Sequence, residues 1–228
     1  MLSTRRLAAV AVPMLAVLAA ANCGPADARA DDTHTTQASG GEVALPTASA
    51  LQLVVTPEGN EVRYRIREQL VGVDLPNDAI GVTQDVSGGI TFDAAGNVVP
   101  SASRFEVNVA TLKSDKDRRD GYVRGRILET TENPTVVLSP TALRGLTFPL
   151  PTSGTRSFTL VGDLTVRGVT KPTTWQVSAK FDGAKVSGTA ATAFTFTEFG
   201  LSQPRVPVVL SVSDTIKLEY DFSLAPKQ

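Results

Sequence analysis

Few side chains in this sequence are suited to acid–base, nucleophilic or metal chemistry. His34 is the only histidine and Cys23 is the only cysteine, and both precede the part of the chain with regular hydrophobic patterns. A Ser-His-acid triad and a histidine-ligated metal are therefore not expected in the folded region. The sequence also lacks a G-x-S-x-G nucleophile motif, an H-E-x-x-H zinc motif and a phosphate-binding loop.

Carboxylates are the remaining candidates, because a pair of them can act as general acid and general base. Asp93 and Glu198 are such a pair in principle, although a structural role is preferred for both. A second group of charges opens a helical pattern and consists of Asp115, Asp117, Arg118, Arg119 and Asp120. Nothing raises a carboxyl pKa at an exposed helix end with balanced charges, so we expect capping and salt bridges there. The residues indicate a protein that is not an enzyme and that needs no metal or cofactor.

Residues 160–181 have the clearest strand pattern in the chain. Apolar positions alternate along two arms: Leu160, Gly162, Leu164 and Val166 on the first, and Trp175, Val177, Ala179 and Phe181 on the second. A period of two is that of a pleated strand with one dry face and one wet face. Gly168 can adopt positive φ, and Pro172 lacks the N–H of a continuing ladder. We therefore predict a β-hairpin whose turn spans residues 167–172.

Short alternating segments recur along the rest of the chain and favour an all-β fold. Further strands are predicted near residues 51–55, 62–66, 105–109, 191–199 and 216–224. Residues 70–81 and 141–154 carry prolines or glycines and are predicted to be irregular or looped. One short helix is predicted near residues 115–124, with Ser114 or Asp115 as its cap. The last strand is expected to close the sheet, because an open apolar edge would aggregate.

Three arginines lie on the outer face of one predicted strand, where Arg63, Arg65 and Arg67 alternate with apolar residues. Such a row could bind anionic head groups or a polysaccharide. More often it pairs with acids on a neighbouring strand, and we expect that arrangement here.

Residues 162–172, Gly-Asp-Leu-Thr-Val-Arg-Gly-Val-Thr-Lys-Pro, resemble the G-D-L-T-[IV]-R-G-[VI]-T-K-P motif of the YceI-like family. The resemblance extends over about residues 51–224 and is strong around this hairpin and in the last third of the chain, and weaker before it. The resemblance implies an all-β, closed antiparallel, lipocalin-like barrel of about eight strands, and some members hold a polyisoprenoid chain in the lumen. The chain departs from the family at residues 59–61, where Gly-Asn-Glu replaces a histidine-serine pair. It departs again at residues 125–129, where paired phenylalanines are missing.

Ten inward-facing residues are the predicted ligand-binding wall of the lumen. They are Val62, Tyr64, Ile66, Phe105, Val107, Trp175, Val177, Phe181, Phe194 and Phe196. Each CH₂ group that such a wall removes from water contributes about 0.8 kcal/mol, so an isoprenoid tail could bind without specific polar contacts. The alternation alone fits a hollow barrel and a solidly packed one equally well, and the resemblance favours the hollow one.

The N-terminus predicts export from a bacterial cell. Arg5 and Arg6 precede an apolar run at residues 7–21, which is short for a membrane span and typical of a signal peptide. The signal peptide is assigned to residues 1–30, with two alternative processing sites. Cys23 is a candidate lipidation site, and residues 28–30 form an A-x-A cleavage site. A flexible polar linker is predicted at residues 31–50 and the YceI-like barrel domain at residues 51–226.

The favoured function is an exported protein, periplasmic, secreted or anchored as a lipoprotein, that holds an isoprenoid or another long-chain amphiphile in the barrel lumen. The alternatives are a surface-anchored structural or stress-related barrel without lipid and, less favoured, an enzyme acting on a lipid. The formal net charge is −1, which disfavours nucleic acid as a partner. Contact with a membrane is expected only through the anchor at Cys23, and the oligomeric state stays open between monomer and homodimer.

Overall fold

The computed structural model describes residues 51–227 as an antiparallel β-structure with one short α-helix. The predicted signal peptide at 1–30, the linker at 31–50 and the lipidation site Cys23 lie outside the described residues. The strands are β1 (Leu51–Val55), β2 (Glu61–Leu70), β3 (Asn77–Thr83), β4 (Val86–Phe92), β5 (Arg104–Asn108), β6 (Lys113–Ser114), β7 (Thr135–Arg144), β8 (Ser153–Val166), β9 (Val169–Asp182), β10 (Lys185–Thr195) and β11 (Val209–Pro226). The helix α1 spans Asp117–Tyr122.

The strands close into a barrel that is eight strands around. Three pairs of strands run end to end, and each pair counts as one of the eight walls of the barrel. β1 and β2 follow one line along β11, with Leu53 opposite Pro226 and Val62 opposite Tyr220. β4 pairs with β1 and β3 pairs with β2, so β4 and β3 together form the next wall. β5 pairs with β4 and β6 pairs with β3, so β5 and β6 form the wall after that. The walls then follow the order β7, β8, β9, β10 and β11, and β11 pairs with β1 again. The prediction of a closed antiparallel barrel of about eight strands with one short helix is confirmed.

Two ends of the barrel can be distinguished by the connections that they carry. The helix end holds α1, the β8–β9 turn and the β10–β11 connection. The loop end holds residues 93–103, the β7–β8 connection and the β9–β10 turn. None of the helices within residues 51–227 has the length and apolar character that a membrane crossing requires.

The central hairpin forms as predicted, except that its turn is shorter. Its inward positions are buried, with Leu164 2% exposed, Trp175 5% and Phe181 2%. The turn is only Arg167 and Gly168, both at positive φ, and Pro172 lies inside β9 opposite Asp163. β10 pairs with β9 only as far as Gln176, so no neighbouring strand needs the missing N–H of Pro172 on that side.

Three other predicted boundaries were wrong. Residues 70–81 were predicted to be a loop or an irregular strand, yet a regularly paired strand, β3, begins at Asn77. Residues 141–154 were predicted to be a loop, yet β7 continues to Arg144 and β8 begins at Ser153. β7 tolerates its buried Pro140 because the register with β8 shifts there, as in a β-bulge, which accommodates a residue without an N–H. Phe196 was assigned to a strand but has helical backbone angles just beyond β10.

The predicted helix at 115–124 is present, but its cap differs. Lys116 is the N-cap residue and makes no side-chain capping bond. Ser114 instead donates from its N–H and its hydroxyl to the Asp120 carboxylate, at 2.8 and 2.6 Å. Asp120 is only 4% exposed, so this member of the charged cluster is buried, whereas Asp115, Asp117 and Arg118 are exposed as the sequence indicated. After Tyr122 the chain continues as one wide π-turn at Val123–Ile127.

Candidate functional site: the barrel lumen

The lumen contains a cavity of about 190 Å³. Voids larger than one water molecule are few in close-packed interiors, and a single water needs only about 10–15 Å³ of such space. The cavity is therefore far larger than a packing defect. Its walls are apolar almost throughout, and a cavity of this kind disfavours water and favours an apolar occupant.

All ten residues predicted to face the lumen line this cavity. Six of them are buried below 9% exposure: Phe105, Trp175, Val177, Phe181, Phe194 and Phe196. The other four, Val62, Tyr64, Ile66 and Val107, are partly buried in the same wall. The strand alternation thus places these side chains together, and their contact with a ligand stays a prediction.

The cavity also reaches both ends of the barrel, where further wall residues lie that were not among the ten predicted contacts. Leu112, Val123, Ile127, Leu128 and Leu201 line it at the helix end, and Leu143, Leu146, Leu150 and Phe158 line it toward the loop end. The apolar stripe of the helical segment was visible in the sequence. The residues near the β7–β8 connection were hidden because a proline-containing loop shows no periodicity.

Arg167 fastens the helix end. Its backbone has φ of 47°, an unusual value for a residue other than glycine, in the two-residue turn with Gly168. Its guanidinium donates to the carbonyl oxygens of Ile127 at 3.2 Å and of Gly200 at 3.3 Å. It also lies 3.6 Å from the Glu129 carboxylate. One side chain therefore joins the hairpin turn, the π-turn and the β10–β11 connection.

At the loop end, the β7–β8 connection folds over the barrel. The Phe148 and Phe92 rings lie 6.2 Å apart, and Phe148 packs on Gly96, where a Cβ atom would lie 2.2 Å from the Phe148 side chain. Leu146 and Leu150 on either side of Phe148 contribute to the cavity wall.

Four polar side chains interrupt the apolar wall formed by the described residues, and three of them are satisfied within the protein. The Trp175 indole donates to the Thr173 hydroxyl at 3.0 Å. The Thr83 and Thr111 hydroxyls lie 2.7 Å apart. The Tyr220 hydroxyl donates to Asn60 Oδ1 at 2.9 Å. The fourth is the Tyr64 hydroxyl, which has no hydrogen-bond partner among residues 51–227.

Both luminal tyrosines are held in the neutral form. Burial raises the pKa of Tyr64 to about 12, and carboxylates nearby add to this effect while Arg119 opposes it. Burial also raises the pKa of Tyr220. At neutral pH each hydroxyl is therefore a hydrogen-bond donor rather than a phenolate.

The carboxylates that could have formed a catalytic pair lie at opposite ends of the barrel. Asp93 follows β4 at the loop end and accepts hydrogen bonds from the Asn97 and Ala95 N–H groups, which lower its pKa. Glu198 follows β10 at the helix end and accepts from the Thr195 N–H, which lowers its pKa. Each carboxylate organises a turn, as the sequence indicated.

The arginine row on β2 is paired with acids on both neighbouring strands. Arg63 contacts Glu219 at 3.0 Å and also Asp221, while Arg65 and Arg67 share Asp78 at 3.1 and 3.2 Å. The row therefore matches the structural role expected of it. Within residues 51–227, no three side chains of His, Cys, Asp or Glu are grouped so that they could hold a metal ion.

Comparisons with known proteins agree with this geometry. A family model described as the YceI-like domain matches residues 53–224. A UPF0312 protein of Azotobacter vinelandii is 28% identical over 139 residues, which cover 60% of this chain and 65% of that protein. The chain thus spans just under two thirds of that relative. UPF0312 protein Shewana3_1179 of Shewanella sp. strain ANA-3 is 26% identical over 190 residues, covering 79% of this chain and 93% of that protein.

Solved structures show the same fold. A polyisoprenoid binding domain from Saccharophagus degradans, implicated in plant cell wall breakdown, superposes with a TM-score of 0.57 at 11% identity, covering 78% of this chain and 99% of that domain. BcnA of Burkholderia cenocepacia gives a TM-score of 0.53 at 16% identity, covering 72% and 95%. At these identities the likeness concerns the fold alone. The family model, in contrast, covers most of the sequence, and this protein belongs to the YceI-like family.

Proposed function

We propose that this protein is an exported carrier that holds an isoprenoid or another long-chain amphiphile inside its barrel. The observation that carries the proposal is the apolar cavity of about 190 Å³, with wall residues from both ends of the barrel. A long, flexible, apolar chain matches such a space better than a compact polar molecule. Each CH₂ buried there adds about 0.8 kcal/mol to binding.

The fold of the Saccharophagus polyisoprenoid binding domain supports the same ligand class. The cavity wall argues against the alternative of an enzyme acting on a lipid. Among its described residues the titratable side chains are Tyr64 and Tyr220, and both are neutral at physiological pH. A surface-anchored structural or stress-related barrel without lipid remains the competing hypothesis, and it predicts an unoccupied lumen.

The protein purified from its native host should contain a co-purifying lipid. Cells would be fractionated, and native mass spectrometry and organic extraction applied to protein recovered outside the cytoplasm. Recovery from membranes would favour lipidation at Cys23, and recovery in soluble form would favour cleavage near residue 30. The carrier proposal fails if no lipid is recovered and if a polyprenyl quinone does not raise the melting temperature.

A matched pair of substitutions on β10 separates lumen occupancy from general stability. Ala190 faces the cavity and is 7% exposed, whereas Ala191 lies on the outer face of the same strand. Ala190→Phe would place a ring in the cavity, so the variant should lose the extracted lipid while staying folded. Ala191→Phe should retain the lipid. Equal lipid recovery from both variants would contradict binding in the lumen.

A further inference from the structure

The inward face of β2 changes from apolar to charged toward the helix end. Val62, Tyr64, Ile66 and Glu68 follow one another on that face. Glu68 is 7% exposed and accepts a hydrogen bond from Arg119 at 2.6 Å. Asp120 is also buried, beside Ser114. The apolar cavity therefore lies beside a buried charged cluster at this end.

Tyr64 stands at the transition between the two environments. Its ring lies over Gly81 on β3, where a Cβ atom would come within 2.3 Å of the ring. The missing side chain at Gly81 thus makes room for Tyr64, and the packing fixes the ring in the wall. Four ionised groups act on its hydroxyl: Arg119, Asp120, Glu68 and Asp115.

We propose that Tyr64 is the head-group contact of the cavity and that its hydroxyl donates a hydrogen bond to a neutral oxygen acceptor at the polar end of a bound isoprenoid. The inference rests on the proposed carrier function and specifies which amphiphile the barrel holds. The Tyr64 hydroxyl is the polar group of the described cavity wall without a protein partner, and a ligand oxygen would satisfy it. A quinone carbonyl and a prenyl alcohol both present such an oxygen.

The charges around Tyr64 select against a phosphate or pyrophosphate head. Three carboxylates surround the position, against one guanidinium, and that guanidinium already pairs with Glu68 and Asp115. An anionic head would meet more negative than positive groups there, and the one cation, Arg119, is already shared between two carboxylates. The ligand should therefore lie with its neutral polar end toward α1 and its tail toward the loop end.

Four probes and two variants test this assignment. The probes are a polyprenyl quinone, the polyprenol and the polyprenyl monophosphate of the same chain length, and squalene, which has a tail but no head. Binding would be followed by the fluorescence of Trp175, the only tryptophan, which lines the cavity. Tyr64→Phe removes only the hydroxyl. Tyr122→Phe is the matched control, because Tyr122 packs against the core but is not part of the described cavity wall.

The wild-type protein should bind the quinone or the alcohol more tightly than the monophosphate. Tyr64→Phe should weaken quinone or alcohol binding about three- to tenfold, which is the effect expected from the loss of one neutral hydrogen bond. The affinity for squalene should stay unchanged. Tyr122→Phe should leave all four affinities unchanged. In the wild type, the infrared carbonyl stretch of the bound quinone should shift below its value in alkane solvent, a readout that needs no variant.

Two results would overturn the assignment while leaving the carrier function intact. One is tightest binding of the monophosphate. The other is binding of the quinone and the alcohol no tighter than squalene, with no effect of Tyr64→Phe and no carbonyl shift. Failure of all four probes to bind, squalene included, would instead reject the carrier function itself.

Discussion

Arg167 shows how one residue can serve both the backbone and the tertiary structure. Its positive φ allows a tight turn that matches the twist of the two strands, and its side chain spans the helix end of the barrel. The sequence indicated a turn here and placed the residue in a family motif. It could not indicate the carbonyl acceptors, because Ile127 and Gly200 lie 40 and 33 positions away.

Replacing Arg167 with alanine should lower the free energy of unfolding by about 1–3 kcal/mol, because two carbonyl oxygens lose a charged donor and alanine disfavours positive φ. Urea denaturation would measure the loss, and hydrogen exchange at residues 123–128 should accelerate. Arg156→Ala is the matched control, since that exposed arginine bonds only to the neighbouring Thr155 carbonyl. Equal effects of the two substitutions would contradict the fastening role.

The ion pair between Glu68 and Arg119 could not be predicted from the sequence either, because its two members are also far apart along the chain. The charged cluster at residues 115–120 was interpreted as a solvated helix end, because its composition is balanced. The barrel places Glu68, 51 residues earlier, against Arg119, and it buries Glu68 and partly buries Arg119. A charge that looks exposed in sequence becomes buried when a distant strand supplies its partner.

Among the elements, β8, β9 and the last part of β11 were predictable because each alternates without interruption. β3 and the second half of β7 were missed because Pro76 favoured irregular structure at residues 70–81, and Pro149, Pro151 and Gly154 favoured a loop at residues 141–154. A proline ends a strand only where its N–H is needed, and the register shift at Pro140 removes that need. All ten predicted cavity residues lie on strands or at their ends, and many of the other wall residues, such as Leu164 and Leu218, follow the same strand alternation. Wall residues in the connections, such as Leu146 and Leu150, lie where periodicity is absent.

The junction between β1 and β2 depends on Asn60, in the segment where this chain departs from the family pattern. Its amide donates to the Thr56 and Glu58 carbonyl oxygens at 2.8 and 3.3 Å. Its Oδ1 accepts from the Tyr220 hydroxyl at 2.9 Å and from the Ser223 N–H at 3.0 Å. One buried side chain thus connects two aligned strands to β11.

Asn60→Ala should destabilise the barrel by about 2–4 kcal/mol, because it leaves several buried polar groups without partners at once. Asn133→Ala is the control, because that exposed amide makes one long bond of 3.5 Å to Glu129, and it should change stability by less than about 0.5 kcal/mol. Chemical denaturation of both variants gives the comparison. A loss below about 1 kcal/mol for Asn60→Ala would show that the junction does not depend on this amide.

At the scale of the whole molecule, closure and hollowness are linked. Eight walls enclose an interior that side chains can just fill or that can hold one small ligand. Here Ala179 and Ala190 put minimal side chains on buried inward positions, while large residues from other walls do not close the remaining space. The alternating pattern defines which face is inside, and the sizes of individual side chains decide whether the inside is full.

The pH range of stability follows from groups distributed over the whole barrel. Asp93 and Glu198 have pKa values lowered by backbone N–H donors, and Asp78 has one lowered by Arg65 and then Arg67. Their contribution is present above the unfolded pKa, about 4, and is lost as the pH falls through the lower folded values. Tyr64 and Tyr220 have raised pKa values, so their contribution is complete below about pH 10 and is lost as the pH rises.

The melting temperature should therefore stay nearly constant from about pH 5 to pH 10 and fall on both sides of that range. Above pH 10, ionisation of Tyr64 alone should cost about 2–3 kcal/mol, because its pKa rises from 10.0 to about 12. A Tyr64→Phe/Tyr220→Phe double variant should keep its melting temperature better than the wild type between pH 10 and 12, while its acid limb stays unchanged. Identical alkaline limbs would mean that neither buried tyrosine limits the barrel, and the hydroxyl of Tyr64 would then be far more solvated than its place in the cavity wall implies.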